Sequence, residues 1–549
     1  MNLVRLLTRL GPGPLRRLTT AAVATAISNT LLLSIVNNAA QEIEKAKADF
    51  VDLPLAALFI VCLLLYVKAQ TWMVTGVAVD LERVLHDLRM RLLGRLRHAD
   101  LRKLERFGAT PLFDTITVSC QTISQNSYYL ATTPGSILTT LAILVYILII
   151  SPLAFVLITL LLGIGTISYL RLGRALEIEE KRLVNDEAAL FESVSDLFDG
   201  FKEQRLNSAR SRGLNAIFDE VSKGAVKARN TVHMHRWQQF VFGETAFNLM
   251  LGMAIFVVPS YSAILSQEVA KIAAAVLFMA SPVFWLMQAL AVMSGAEAAA
   301  GRMLELEDKL DDLTEAGSNA PAKPVPENFS ELRMDAVTFG FPAPPGEPPF
   351  TVGPFSLVIR QGEVVFVTGG NGSGKSTFIR LLTGLYHPQS GRLLVDGVVI
   401  GAERKAAYRE LMATVFADFH LFVRLYGIEA PDPVEASALM RWMEMDHVTM
   451  LQDDHFGRRD LSAGQRKRLG LVAALLEKKP ILILDEWAAD QDPHFRFKFY
   501  REVIPELKRR GLTIIAVTHD DAYFDAADRR LHMEEGRLTE LPVPAKGAA

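Results

Sequence analysis

The run Gly369-Gly370-Asn371-Gly372-Ser373-Gly374-Lys375-Ser376-Thr377 has the residue types and spacing that hold a polyphosphate. It fits the pattern G-x-x-x-x-G-K-[ST]. The glycines let successive backbone N–H groups turn toward one anion. A helix that starts here adds the positive end of its dipole. Lys375 can reach the β and γ phosphates and Ser376 can hold Mg²⁺. Gly369, Asn371, Gly372, Gly374 and Thr377 complete the expected nucleotide contacts. The apolar run Val364-Val365-Phe366-Val367 before the loop and Phe378-Ile379-Arg380-Leu381-Leu382 after it read as strand, loop, helix.

Three more groups follow in order. Leu461-Ser462-Ala463-Gly464-Gln465 opens a helix running to Leu476. Ser462 can cap it, and the small residues Ala463 and Gly464 allow close backbone approach to an anion. Ile481-Leu482-Ile483-Leu484-Asp485-Glu486 is a buried strand ending in two acids. Asp485 is placed to share the Mg²⁺ shell, and Glu486 to orient or deprotonate a water. Ile514-Ile515-Ala516-Val517-Thr518-His519 ends another strand with an imidazole that can meet the γ-phosphate or that water. Upstream, Val337-Thr338-Phe339-Gly340-Phe341 offers Phe341 as the ring to stack on adenine and Phe339 as a packing residue. Strand-end acids and single histidines are ordinary features alone. Behind a phosphate loop, in this order, they read as hydrolysis of MgATP.

The elements that must position these groups are strand-like runs at 363–367, 480–484 and 513–517 with helices between them, an α/β domain over 331–549. The stretch 314–330, with Gly317, Pro321, Pro324 and Pro326, reads as a linker. Residues 1–313 read as an all-α membrane domain. Half of the 549 residues are hydrophobic, and apolar segments lie near 18–37, 53–76, 129–150, 152–171, 238–259 and 272–293. Each is about the twenty residues that cross a bilayer as a helix, and Ser151-Pro152 splits the third from the fourth. Arg and Lys are rich before the first span and in 82–107, 171–182 and 202–236. That places both termini and both long connections in the cytoplasm. These connections carry apolar residues at threes and fours among charges, so they read as helical arms. The start is expected to be a retained anchor rather than a cleaved leader. The net charge of -3 gives no reason to expect nucleic acid. Cys62 and Cys120 are far apart and read as packing residues.

Polar residues inside the spans are candidates for a cargo cavity: Asn29, Glu244, Asn248, Trp285 and Gln288. Glu244 leads because a carboxylate within a span is costly unless it faces protein or water; a helix–helix hydrogen bond and a position near the interface together account for it at least as well. Fixed charges in the spans are few, so a strongly charged cargo finds no expected compensation.

Taken together, the loop, Leu-Ser-Ala-Gly-Gln, Asp485-Glu486 and His519 behind six spans resemble ABC transporters of the exporter type, over nearly the whole chain. The resemblance implies a half-transporter working as a homodimer in the lipid bilayer. Each ATP would be held between the phosphate loop of one subunit and residues 462–465 of the other. Asp199-Gly200-Phe201-Lys202-Glu203 with Arg205-Leu206-Asn207 is similar to the arm of the cyclic-peptide and siderophore exporter group, which includes the pyoverdine, syringomycin and lasso-peptide microcin exporters. So are Phe416-Ala417-Asp418-Phe419-His420-Leu421-Phe422, the run from Asp485 to Pro493, and Thr518-His519-Asp520-Asp521. The pyoverdine-linked members match most nearly in pattern. One departure stands out: Ala417 occupies the place of the usual glutamine, so either Asp418 or His420 meets Mg²⁺ or the contact is absent. The implied function is ATP-driven export of a peptide-derived compound (cyclic peptide, lipopeptide or siderophore precursor) across a bacterial inner membrane. The alternatives are a multidrug or lipid exporter, a siderophore importer on the same fold, and a membrane-tethered regulatory ATPase.

Overall fold

The computed structural model describes residues 2–8, 12–46, 53–108, 112–261, 263–315, 323–326, 329–342, 349–428, 431–458 and 460–545. The chain forms two compact units, Met1–Gly94 with Thr110–Lys309, and Arg95–Ala109 with Leu310–Ala549.

In the first unit, six helices are long and apolar enough to cross a membrane: Leu15–Gln41, Leu53–Arg97, Asp114–Ile150, Pro152–Asp199, Ser208–Ser260 and Glu268–Leu313. The last five are 37 to 53 residues long, about twice what a bilayer needs. The surplus is the charged, periodic sequence expected to form arms. Only 6% of the apolar window of Leu53–Arg97 is buried, and Leu64, Leu160 and Phe256 are exposed. In water this surface would be unfavourable; in lipid it is the ordinary outer face of a bundle. The interior is packed by Leu33, Ile143, Ile158, Met250, Ile272 and Met279. Ser151 caps the fourth span: its Oγ accepts the Ala154 N–H at 3.2 Å, and Pro152 fills the first turn. The third span starts earlier than expected. Helical backbone runs from Asp114, through a π-helical stretch Asp114–Ser119. The polar run Ser119-Cys120-Gln121-Thr122 masks that turn in a hydropathy reading. The arm after the fourth span reverses through the short helix Phe201–Leu206. There Gln204 donates to Leu197 O at 3.3 Å, and Asn207 caps the next helix through the N–H groups of Ala209 and Arg210.

The second unit has a six-stranded sheet in the order Arg537–Leu541, Arg529–Glu534, Val364–Gly369, Thr513–Val517, Ile481–Asp485, Met412–Val415. All neighbours are parallel except the first pair. A second, antiparallel sheet holds Thr351–Arg360, Glu331–Gly340, Ser390–Val395 and Val398–Val399. One face of the large sheet packs Phe366, Leu482, Leu484 and Ile514 against Leu469, Phe499 and Val503. The other packs Val365, Val367, Ile483 and Ile515 with Phe378 and Phe355 of the small sheet's side. Strands buried on both faces are continuous apolar runs for this reason.

Residues 95–109 belong to this unit, although the sequence groups them with the membrane domain. The short helix Leu101–Phe107, capped by Asp100, brings Arg102 to 4.8 Å over the Phe339 ring. Its Glu105 accepts from the Tyr386 hydroxyl at 2.6 Å and pairs with Arg380 at 3.4 Å. Residues 314–315, at the head of the expected linker, are clipped here too. Thr314 bridges Ala99, and Glu315 takes Arg409 at 2.8 and 3.0 Å. Of the rest of 314–330, residues 316–322 and 327–328 lie outside the described residues.

Candidate functional site

Val367 lies opposite Val517, and Val517 opposite Asp485, on three adjacent parallel strands. Their carboxyl ends therefore coincide. The phosphate loop, the two acids and His519 emerge side by side on one sheet edge, where α/β folds bind ligands. Gly374, with φ 109°, is the residue before the helix Lys375–Leu382, a conformation that favours glycine. Gly369 has φ 143°, and a Cβ there would stand 2.2 Å from Met533 O. Lys375 is buried, and its Nζ donates to Gly369 O at 3.0 Å and Gly370 O at 2.9 Å. The ammonium thus lies folded over its own loop. Ser376 is exposed at the helix start, and Thr377 is buried beneath it.

Glu486 has φ 50°, the left-handed region, uncommon for a residue with a side chain and kept where surroundings enforce it. Two contacts enforce it. Its N–H donates to Val517 O at 3.1 Å, and its carbonyl accepts Lys467 Nζ at 2.7 Å. Lys467 is buried and also pairs with Asp490 at 2.7 Å. The turn aims the Glu486 carboxylate back over the edge. It lies 3.4 Å from His519 Nε2 and 4.0 Å from Lys375 Nζ. Lys467→Met keeps the stem and removes the ammonium. It is expected to lower ATP turnover about tenfold and to cost about 1–3 kcal/mol of stability. ATPase assay and thermal unfolding of the detergent-solubilised protein check this; unchanged turnover would show that Lys467 does not hold the acid in place.

Asp485 is buried, and its Oδ1 has no hydrogen-bond partner among the described residues. Burial first, and then the neighbouring Glu486 carboxylate, push its carboxyl above the usual range, with Asp418 adding to the rise. The Ala417 backbone N–H and Lys375 act against it. A buried carboxylate oxygen without a partner, among other acids, is the donor set a hard divalent cation takes. With Ser376 on the same edge, the residues fit Mg²⁺. Ala417, in the place of the usual glutamine, reaches Asp485 through its backbone instead of a side chain. Asp418 is exposed and within electrostatic reach of Asp485. His420 is exposed and lies edge-on to Phe422 at 5.1 Å.

Ser462 caps Ala463–Leu476 as expected, in a reciprocal capping box. Its Oγ accepts the Gln465 N–H at 3.3 Å, and its own N–H donates to Gln465 Oε1 at 3.1 Å. Gly464 packs against the following turn, where a Cβ would lie 2.5 Å from Asp490 O. This segment does not line the cleft beside the phosphate loop, which is formed by Phe350, residues 370–373 and His532 to Glu535.

Phe341 is half-buried in an aromatic cluster. It stacks on Phe350 at 6.3 Å and meets Phe339 edge-on at 5.1 Å. Phe350, which the sequence reading passed over, is the more exposed ring at 41% and lines the cleft. Nothing in its local sequence marks it, because it sits at the entry to a strand.

In the membrane unit, the cargo candidates divide. Glu244 and Gln288 line a cavity of about 1160 Å³ between the fourth, fifth and sixth spans. Asn29 and Trp285 line a separate cavity of about 330 Å³, with Tyr66, Gln70 and Tyr128. Asn248 is exposed and lines neither. The sequence reading missed Arg174, His233, Arg236 and Trp237, which line the same cavity. His233, Arg236, Trp237, Phe240, Gly243, Glu244 and Phe247 recur at threes and fours, so one helix face could have been traced. Fixed charge is therefore present after all. Arg236 is tied to Glu180 at 2.6 Å, while Arg174 and Glu244 have no ion-pair partner among the described residues.

A family model described as ABC transporter matches residues 352–489. ATP-binding protein SyrD of Pseudomonas syringae pv. syringae is 30% identical over 467 residues, 83% of this chain and 82% of that protein. Mycobactin import ATP-binding/permease protein IrtB of Mycolicibacterium smegmatis is 30% identical over 237 residues, 41% of this chain and 40% of that protein. The solved structure of a bacterial Atm1-family ABC exporter with ATP bound shares the fold, with TM-score 0.73, 19% identity and coverage of 96% of this chain and 95% of that one. With the phosphate loop, both acids and the strand-end histidine in place behind six membrane helices, the chain belongs to the ABC transporters and has the exporter-type fold.

Proposed function

We propose that this transporter exports a peptide-derived compound from the cytoplasm across a bacterial inner membrane, as a homodimer with two shared ATP sites. The observation that carries the cargo class is the large cavity. Its volume of about 1160 Å³ exceeds the roughly 300–1,000 Å³ that drug-sized ligands occupy. Trp237, Phe240 and Phe284 line it together with Arg174, Arg236 and Glu244. Such a wall suits an amphipathic cargo with both apolar and charged surface, as cyclic peptides, lipopeptides and siderophore precursors have. Homodimer formation is supported by residues 462–465, which leave the cleft beside the loop incomplete, and by the exposed Phe198, Phe201 and Leu206 at the arm's turn.

At the ATP site, Phe341 and Phe350 provide the aromatic surface for adenine, and the loop amides with Lys375 hold the phosphates. Glu486 accepts the proton of the attacking water, and His519 holds that water or the γ-phosphate from the neighbouring strand end. Ser376 and Asp485 would hold Mg²⁺, which would supply charge stabilisation to the phosphate oxygens. Asp418 stands in for the missing glutamine. Asp418→Ala is expected to raise the Mg²⁺ concentration for half-maximal ATPase activity severalfold; an unchanged Mg²⁺ dependence and rate would leave Asp418 without a part in the site.

A second reading, uptake of a siderophore, is favoured by the likeness to IrtB, whose name describes mycobactin import. Inside-out membrane vesicles separate the two. ATP-dependent accumulation of an amphipathic cyclic peptide supports export. ATP-dependent loss of preloaded siderophore from the same vesicles supports import.

A further inference from the structure

His519 is exposed, and its Nε2 lies 3.4 Å from the Glu486 carboxylate. What fixes its direction is the backbone on either side. Thr518 is buried and Asp520 follows directly, and both are held by one side chain. The Tyr500 hydroxyl lies 2.6 Å from Thr518 Oγ1 and 2.9 Å from Asp520 Oδ2. Thr518 Oγ1 also accepts the Asp520 N–H at 3.1 Å. The direction of these bonds follows from valence. The Asp520 carboxylate only accepts, so the Tyr500 O–H donates to it. The Thr518 O–H then donates to the Tyr500 oxygen. Burial pushes the Tyr500 phenol well above its ordinary value, so it keeps the proton it donates.

Tyr500 lies in a π-helical turn, Phe499–Val503, between the helices Pro493–Lys498 and Ile504–Arg509. Such turns are rare and occur frequently at functional sites. Its ring is locked by stacking on Tyr523 at 4.6 Å and by edge contacts with Phe499 and Phe366. Asp520 has one more partner, Arg496 at 3.4 Å. Arg496 in turn donates to Ala489 O at 3.2 Å and Gln491 O at 3.1 Å, in the turn that follows Glu486.

We propose that Tyr500 is the positioning residue for His519, and that the Asp520–Arg496 pair ties the direction of His519 to the 489–491 turn. A core tyrosine needed only for packing would tolerate loss of its hydroxyl. Here Tyr500→Phe strands the Thr518 donor and removes one bond from Asp520, both adjacent to the histidine.

The proposal rests on this edge being the ATP site, so ATP binding is measured on every sample. The test is a double-mutant cycle with the full-length protein in proteoliposomes, read as single-turnover ATP hydrolysis. Tyr500→Phe is expected to lower the rate constant about tenfold, with the ATP concentration for half-saturation changed less than twofold. In a His519→Ala background it is expected to lower the rate no further, because the group it positions is gone. Asp520→Asn is expected to behave in the same way and serves if Tyr500→Phe is poorly folded; Arg496→Gln tests the link to the turn by the same cycle. Wild-type rates in Tyr500→Phe and Asp520→Asn, or equal factors lost with and without His519, would overturn the proposal. Failure of the wild-type protein to bind ATP would instead overturn the reading of the site.

Discussion

Glu486→Gln is expected to lower ATP turnover by about 10²- to 10⁴-fold, the range for losing a positioned general base, while ATP binding stays within a few-fold of wild type. The reasoning is geometric. The amide keeps the size of the side chain and the backbone contacts to Val517 and Lys467 that hold the left-handed turn. It cannot take a proton. Removing one negative charge 4.0 Å from Lys375 leaves the ammonium freer to meet phosphate, so affinity is expected to hold or rise. Equilibrium binding of a fluorescent ATP analogue and phosphate release measure the two quantities separately. A variant that hydrolyses ATP at more than a tenth of the wild-type rate would show that the base lies elsewhere.

Gly369→Ala is expected to have the second largest effect, through the backbone. The position has φ 143°, and a methyl group there would meet Met533 O at 2.2 Å and Ser373 Oγ at 3.0 Å. Ser373 can turn aside, but the carbonyl belongs to the adjoining strand of the sheet. The loop must therefore move off the strand end, taking with it the carbonyls of Gly369 and Gly370 that hold Lys375. The expected outcome is a loss of ATP affinity of at least tenfold, together with about 2–4 kcal/mol of stability for combined strain and overpacking. Gly370→Ala is the control, since no atom lies within 4 Å of a Cβ at that position. Equal effects at both positions would contradict the account.

The edge that carries the proposed ATP site was legible in the sequence because its groups sit within contiguous motifs at the ends of apolar runs. Parallel register then brought Lys375, Asp485, Glu486 and His519 to one edge without further information. The residues that support them were not legible. Lys467 reads as a surface charge on a helix, yet it is buried under Glu486. Tyr500 reads as one more aromatic on an amphipathic stretch, and its hydroxyl gains meaning only from Thr518 and Asp520 beside it. Phe341 was picked by its motif, whereas Phe350 has no local signal. The membrane helices were legible in number and approximate place, since hydropathy reports burial in lipid. The helical arms beyond the bilayer were legible too, from apolar residues at threes and fours among charges; the cavities were not, because a cavity wall is drawn from several helices at once. Glu244 and Arg174 line the same space from different helices. The place of 95–109 in the second compact unit was not legible for a similar reason. Arg102 and Glu105 are charged residues on a short helix, and the aromatic rings they meet are more than 200 residues further along the chain.

The central claim is that hydrolysis at this edge drives an amphipathic peptide through the membrane unit. Its most direct test is uptake of a labelled cyclic lipopeptide into sealed inside-out vesicles containing either the wild-type protein or Glu486→Gln. The account predicts accumulation against a gradient that requires MgATP and the wild-type chain, with none above background for Glu486→Gln. Equal uptake by the two proteins, or uptake by wild type without ATP, would contradict it.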